Sequence, residues 1–188
     1  MEKTFKTKDY WENRYALGGT SGTGSYGGSG TLKANIINRL ISKYQIKTIN
    51  DLGHGDGNNI TLLRGMDKYY GYDVSKTARS ICTSKFKEQP VYTFLSRLSQ
   101  FKKRDMAMSL DVLYHLVEDK VYYNYLDRLF SLGQYVLIYS INEDTVGNDH
   151  VSARQFTDHI ENTYKDFNLI ETINGFTSEI SFYLYRKT

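Results

Sequence analysis

The run Asp51-Leu52-Gly53-His54-Gly55-Asp56-Gly57-Asn58-Asn59 constrains this chain more than any other stretch, because an acid and three alternating glycines follow a short apolar strand, Ile46 to Leu52. Glycine lacks a Cβ and adopts positive φ, so such a turn lets the main chain lie against a ligand where a strand hands over to a helix. The expected occupant is a nucleoside. A dinucleotide-binding fingerprint would need its third glycine at position 58, and Asn58 stands there instead.

Leu32, Ile36, Ile37, Leu40, Ile41 and Tyr44 recur at helical spacing and predict a helix over Thr31 to Tyr44, with Thr31 near its N-cap. A short helix is expected through Leu62 and Leu63, and Ser75 is expected to cap one running to about Lys87. Strands are read at Lys68 to Asp73, Val91 to Leu95, Asp105 to Leu110 and Tyr135 to Ser140. Val121, Tyr125, Leu126, Leu129 and Phe130 mark a helix before the last of these. This alternation predicts a mainly parallel sheet with right-handed crossovers. The tail departs from it: after a helix around Phe156 to Tyr164, Phe167 to Asn174 and Glu179 to Arg186 read as a strand pair. Gly18 to Gly30 holds seven of the 15 glycines and reads as a loop, either a flexible linker or a flap. It lacks the GK[ST] ending of a phosphate-binding loop.

Motif I of the class I S-adenosylmethionine (SAM) dependent methyltransferases, an acid followed by GxGxG, resembles this chain at Asp51, Gly53, Gly55 and Gly57. A second acid, Asp73, closes the next strand at the family's spacing. DYWENRY (Asp9 to Tyr15), GSYG (Gly24 to Gly27), SLDVLYHLVED (Ser109 to Asp119) and Gln155-Phe156-Thr157-Asp158 resemble a compact, mostly uncharacterised bacterial group of these enzymes. The resemblance extends over nearly the whole chain. It implies an α/β fold, a Rossmann-like mainly parallel sheet flanked by helices with a C-terminal antiparallel hairpin. Residues 1–30 would form an N-terminal arm and Gly-rich flap, and residues 31–188 a single methyltransferase domain.

Composition narrows the class. A chain of 188 residues with 40% apolar content suits one domain with a sizeable core. A net charge of +3 fits an anionic partner such as RNA without requiring one. The single cysteine, Cys82, excludes an internal disulfide and argues against a structural zinc site, so a reducing compartment is expected. With no apolar run of membrane length and no signal-peptide core in the opening residues, the expected location is cytoplasmic. The Asn59-Ile60-Thr61 sequon is then coincidental.

The resemblance further implies SAM as cofactor, S-adenosylhomocysteine (SAH) as product, and no metal. SAM's methionine portion would lie against Asp51 and the Gly53, Gly55, Gly57 and Asn58 backbone, and Asp73 would hold the ribose. Val74 and Leu110 would also contact the cofactor. Lys33 is either a partner of the SAM carboxylate or a solvated helix lysine. His54 either touches the cofactor or fills the turn. The acid that relatives use for adenine after the third strand is replaced by Leu95-Ser96-Arg97, leaving Ser96 or a backbone carbonyl as substitute. Asp111, Tyr114 and His115 follow the fourth strand, where donor and acceptor meet in this fold. Asp111 or His115 is a candidate general base, or the segment is plain packing.

Absences restrict the acceptor. There is no [DN]PP[YFW] tetrapeptide for exocyclic base amines, no lysine ending the fifth strand for ribose 2′-O methylation, and no cysteine on the acceptor side for pyrimidine C5. An acceptor already nucleophilic when neutral remains, such as guanine N7 of an RNA cap. Trp11, Tyr15, Tyr26, Tyr114 and His115 are candidates to stack on such a base. Alternatively the 17 tyrosines reflect codon bias, and Trp11 packs the arm. A small metabolite or sugar acceptor, a protein acceptor and a non-catalytic SAM-binding scaffold also stay open.

Overall fold

The computed structural model describes residues 5–145 and 150–188. Within them, strands β1 (Thr48–Leu52), β2 (Lys68–Tyr72), β3 (Tyr92–Phe94), β4 (Arg104–Leu110), β5 (Gly133–Ile141), β6 (Phe167–Asn174) and β7 (Ile180–Lys187) form one sheet in the order β3-β2-β1-β4-β5-β7-β6. The first five run parallel, and β7 enters antiparallel between β5 and β6. The Rossmann-like sheet and its terminal hairpin therefore match the sequence expectation.

Both faces of the sheet are covered, which is why Met106 to Met108 of β4 and Val136 to Ile138 of β5 are apolar without alternation. Met106, Met108, Leu137 and Leu184 face one core with Ile37 and Leu40 of α2 (Gly27–Lys43) and Cys82 of α3 (Lys76–Lys85). Ala107, Val136 and Ile138 face the other, with Leu126, Leu129 and Phe130 of α4 (Asp119–Ser131) and Ile160 of α5 (Phe156–Thr163). Ser75 caps α3 as expected, its hydroxyl accepting from the Ala78 amide. No helix among the described residues is long and apolar enough to cross a membrane.

Three local expectations fail. The glycine-rich segment is not all loop: α2 begins at Gly27 with Tyr26 as its N-cap residue, so Thr31 lies inside the helix. The cause is tertiary, because Asn58 and Asn59 donate to the carbonyl and hydroxyl of Ser25 and anchor the helix start from outside. Leu62 and Leu63 lie in successive turns rather than a helix, closed by Thr61 N–H to Asn58 O and Leu63 N–H to Ile60 O. The arm, conversely, contains a helix, α1 (Thr7–Ala16).

Candidate active site

Strand order reverses between β1 and β4, and a parallel sheet opens a crevice beyond its carboxyl ends at such a point. A cavity of about 430 Å³ lies there, within the range of small-molecule sites, roughly 300–1,000 Å³. Gly53, His54, Gly55, Asp73, Val74, Leu110, Asp111 and His115 line it, and so do Trp11 and Tyr15 from α1. The arm and the segments that follow β1, β2 and β4 thus meet around one space.

The glycines of the β1 turn take φ of 98° at Gly53 and 59° at Gly55, conformations that β-carbons oppose. At Gly55 a Cβ would also stand 2.2 Å from Ser21 Oγ and 2.8 Å from the Tyr15 hydroxyl, so the flap rests directly on bare backbone. Asp73 holds this turn in place. One of its oxygens accepts from the Gly55 amide at 2.9 Å and the other from the Ser75 amide at 2.9 Å. A carboxylate oxygen has two lone pairs, so each retains one for a further donor.

Asp51 does not line the cavity. It is fully buried behind the turn, where one oxygen accepts from the Tyr69 hydroxyl at 2.5 Å and the other has no partner. Burial pushes its carboxyl up to about 7, against the lowering effect of the Tyr69 hydrogen bond. His54 does line the cavity and packs edge-on to Phe94; its Nδ1 bonds the Gly55 carbonyl at 2.8 Å while Nε2 is buried without a partner. Desolvation lowers its pKa and favours the neutral ring. Gly57 and Asn58 also stand outside the lining, Asn58 being engaged with Ser25.

Lys33 is neither solvated nor open to the cavity. It is wholly buried and ion-paired with Asp111, whose other oxygen accepts from the Tyr114 hydroxyl at 2.9 Å. Ser96 is likewise turned away: its amide and hydroxyl both bond Gln100 Oε1 at 3.0 Å.

On the far side, His115 lies in a 3₁₀ turn, Leu113–His115. Its Nδ1 is 2.9 Å from the His150 carbonyl, which makes Nδ1 the protonated nitrogen and leaves Nε2 with a lone pair. Burial lowers its pKa, partly offset by that bond. Trp11 packs edge-on against it at 4.9 Å between centroids. Of the other aromatic candidates, Tyr15 bonds Ser21 at 3.0 Å, and Tyr26, outside the lining, donates to Asp56 at 2.7 Å.

The sequence did not announce what pins α1. Glu12 accepts from the Ser75 hydroxyl at 2.7 Å and the Thr77 hydroxyl at 2.8 Å, and those bonds, Ser75's foremost, hold its carboxyl at about 2. Thr7 bonds Glu118 and the His115 carbonyl. A capping acid supplied from another helix leaves no local sequence signature. No group of three or more His, Cys, Asp or Glu among the described residues is placed to hold a metal.

No family model matches this chain, and no curated protein matches it. Solved structures do. Magnesium protoporphyrin IX methyltransferase from Synechocystis PCC 6803 with bound SAH aligns at a TM-score of 0.73 with 17% identity, covering 96% of this chain and 98% of that one. The N-methyltransferase NodS from Bradyrhizobium japonicum WM9, in complex with SAH, aligns at 0.72 with 12% identity, covering 97% and 99%. The 16S rRNA methylase RmtB aligns at 0.63 with 14% identity, covering 97% and 74%. With a sheet of this order and a likeness spanning whole chains, this protein has the fold of the class I SAM-dependent methyltransferases.

Proposed function

We propose that this chain transfers a methyl group from SAM to a small-molecule acceptor received beside Trp11 and His115. One observation carries the reading: a single cavity has the bare Gly53 to Gly55 turn and Asp73 among its walls together with Trp11 and His115. SAM supplies an electrophilic methyl on a sulfonium, and displacement in line requires chiefly that the protein align donor and acceptor. The residues present suit that group. The spare lone pairs of Asp73 at the cavity wall suit the two ribose hydroxyls, while Val112 and Ser21 fill the side of the turn where β-carbons of Gly53 and Gly55 would stand.

At the acceptor end His115 is the better base. Both Asp111 oxygens are engaged by Lys33 and Tyr114, whereas Nε2 of His115 is unprotonated when Nδ1 donates to the His150 carbonyl. A hydroxyl reaching Nε2 would give up its proton as its bond to the methyl carbon forms, and a protonated amine would give it up beforehand to free its lone pair, the C–S bond breaking with its electrons left on the SAH sulfur. This widens the acceptor class beyond atoms nucleophilic when neutral. A reducing compartment such as the cytoplasm suits the buried thiol of Cys82.

A nucleotide acceptor, with cap guanine N7 as its sharpest form, is the second reading. Trp11 and His115 favour it as half-buried rings that line the cavity. Against it, Tyr26 and Tyr114 stand outside the cavity lining. Calorimetry with SAM and SAH, followed by methyl-release assays on small hydroxyl and amine compounds, sugars, free nucleotides and capped RNA, tests both. Turnover only on capped RNA, weakening steeply with salt, would overturn the small-molecule reading. Cofactor binding without turnover on any acceptor would leave a SAM-binding scaffold.

A further inference from the structure

The family's adenine acid is missing after β3, and Ser96 is spent on Gln100. Another element reaches that end of the cavity. Val121, Asn124 and Arg128 of α4 line it, and their spacing of three and four residues puts them on one helix face. Tyr72, Val74 and Leu98 line it from the strand side and supply the apolar walls that a purine ring needs.

The polar groups here are mostly occupied. Arg128 donates to the Leu98 carbonyl at 2.8 Å and the Phe101 carbonyl at 3.4 Å, which fastens the segment after β3 to α4. The Tyr125 hydroxyl donates to the Leu52 carbonyl at 2.6 Å and lies 2.7 Å from Ser109 Oγ. The carboxamide of Asn124 makes no hydrogen bond to any described residue, and the residue is exposed while lining the cavity. An amide carries an acceptor and two donors. That pairing matches the edge of adenine, where an exocyclic amine stands next to an unprotonated ring nitrogen, as Asn does when it reads adenine in nucleic acids.

We propose that Asn124 reads the adenine edge of the cofactor, its Oδ1 accepting from the 6-amino group and its Nδ2 donating to the adjacent ring nitrogen. Recognition of the base edge then resides on α4, with Arg128 one turn further on holding the Leu98 wall by its carbonyl. This inference rests on the SAM reading above.

The test compares SAH with its 1-deaza analogue, in which a C–H that neither donates nor accepts replaces N1 and the 6-amino group is kept. Both are titrated calorimetrically into the full chain and into Asn124→Ala and Asn124→Asp. One net hydrogen bond to N1 predicts that the wild type prefers SAH by roughly threefold to tenfold, and that Asn124→Ala, which loses both bonds, binds SAH about tenfold more weakly while its preference falls towards one. Asn124→Asp, which accepts from the 6-amino group of either ligand but cannot donate to N1, should lose the preference for SAH. The site is solvent-facing and the buried side of α4 is untouched, so the fold should survive; matching circular dichroism checks this. A wild type that binds SAH, with a preference unchanged in Asn124→Ala or an equal loss for both ligands, overturns the proposal alone. A wild type that binds neither overturns it together with the SAM reading.

Discussion

Lys33 on α2 is completely buried and its ammonium pairs with the carboxylate of Asp111, which leaves β4 in the left-handed backbone region at φ 59°. Lys33 Nζ also sits 5.2 Å from the centroid of the Tyr139 ring. The pair ties the first long helix to the segment that carries Tyr114 and His115, the end of the cavity proposed to receive the acceptor.

The two halves of the pair should not be equally costly to remove. Asp111→Asn leaves an unpaired ammonium with no exposed surface, while Lys33→Met leaves a carboxylate that is 15% exposed and still bonded by Tyr114. Breaking a buried pair costs about 3–5 kcal/mol, so Asp111→Asn is expected near the top of that range and Lys33→Met below it. Asn tolerates positive φ, so the backbone does not confound the comparison. Urea unfolding of both variants decides this; equal losses would contradict the burial asymmetry.

Asp51 predicts an unusual pH dependence. Its folded pKa, raised by burial from an ordinary value near 3.8 to about 7, means the native state holds this proton where the unfolded chain has lost it. Stability from this group therefore falls as pH rises from about 4 to about 7, by roughly 4 kcal/mol at most. Asp51→Asn keeps an acceptor for Tyr69 and removes the titration, so its stability should exceed the wild type's increasingly across that window. Parallel unfolding profiles for the two proteins between pH 4 and 8 would refute it.

What the sequence disclosed was whatever repeats at short range. The apolar runs of β4 and β5, the alternation Ile180, Phe182, Leu184 and the Ser75 cap were all readable because each depends on neighbours along the chain. The start of α2 was not, since Asn58 and Asn59 anchor it from about thirty residues away. Nor was α1, whose apolar residues follow no helical period and whose fastening runs through Glu12 to Ser75 and Thr77. The motif marked Asp51 and Asp73 alike, but only the fold distinguishes a carboxylate behind the turn from one in the cavity.

Asp73 holds the β1 turn and, in the proposed function, the cofactor's ribose as well, and a substitution should expose both. In Asp73→Ala the amides of Gly55 and Ser75 lose their acceptor, and unsatisfied buried donors cost about 1–3 kcal/mol each. The expected result is a destabilised protein whose SAH binding is lost at temperatures where it is still folded. Thermal unfolding with and without SAH measures this. An undiminished SAH-induced rise in Tm would remove Asp73 from the cofactor site.

His115 provides the sharpest kinetic test of the proposed chemistry. Its Nδ1 donates to the His150 carbonyl, its burial holds the pKa below the ordinary 6.5, and Nε2 remains available to take a proton. With the acceptor found by screening, kcat should fall as pH drops through that lowered value and stay level above it. His115→Gln should reduce kcat by about 10²–10⁴ while SAH affinity changes little, because the base acts on the acceptor and not on the cofactor. The acid limb should also vanish in the variant, which a merely structural histidine would not produce. An unchanged acid limb in His115→Gln, or a loss confined to SAH affinity, would assign proton removal elsewhere and leave His115 as packing for Trp11.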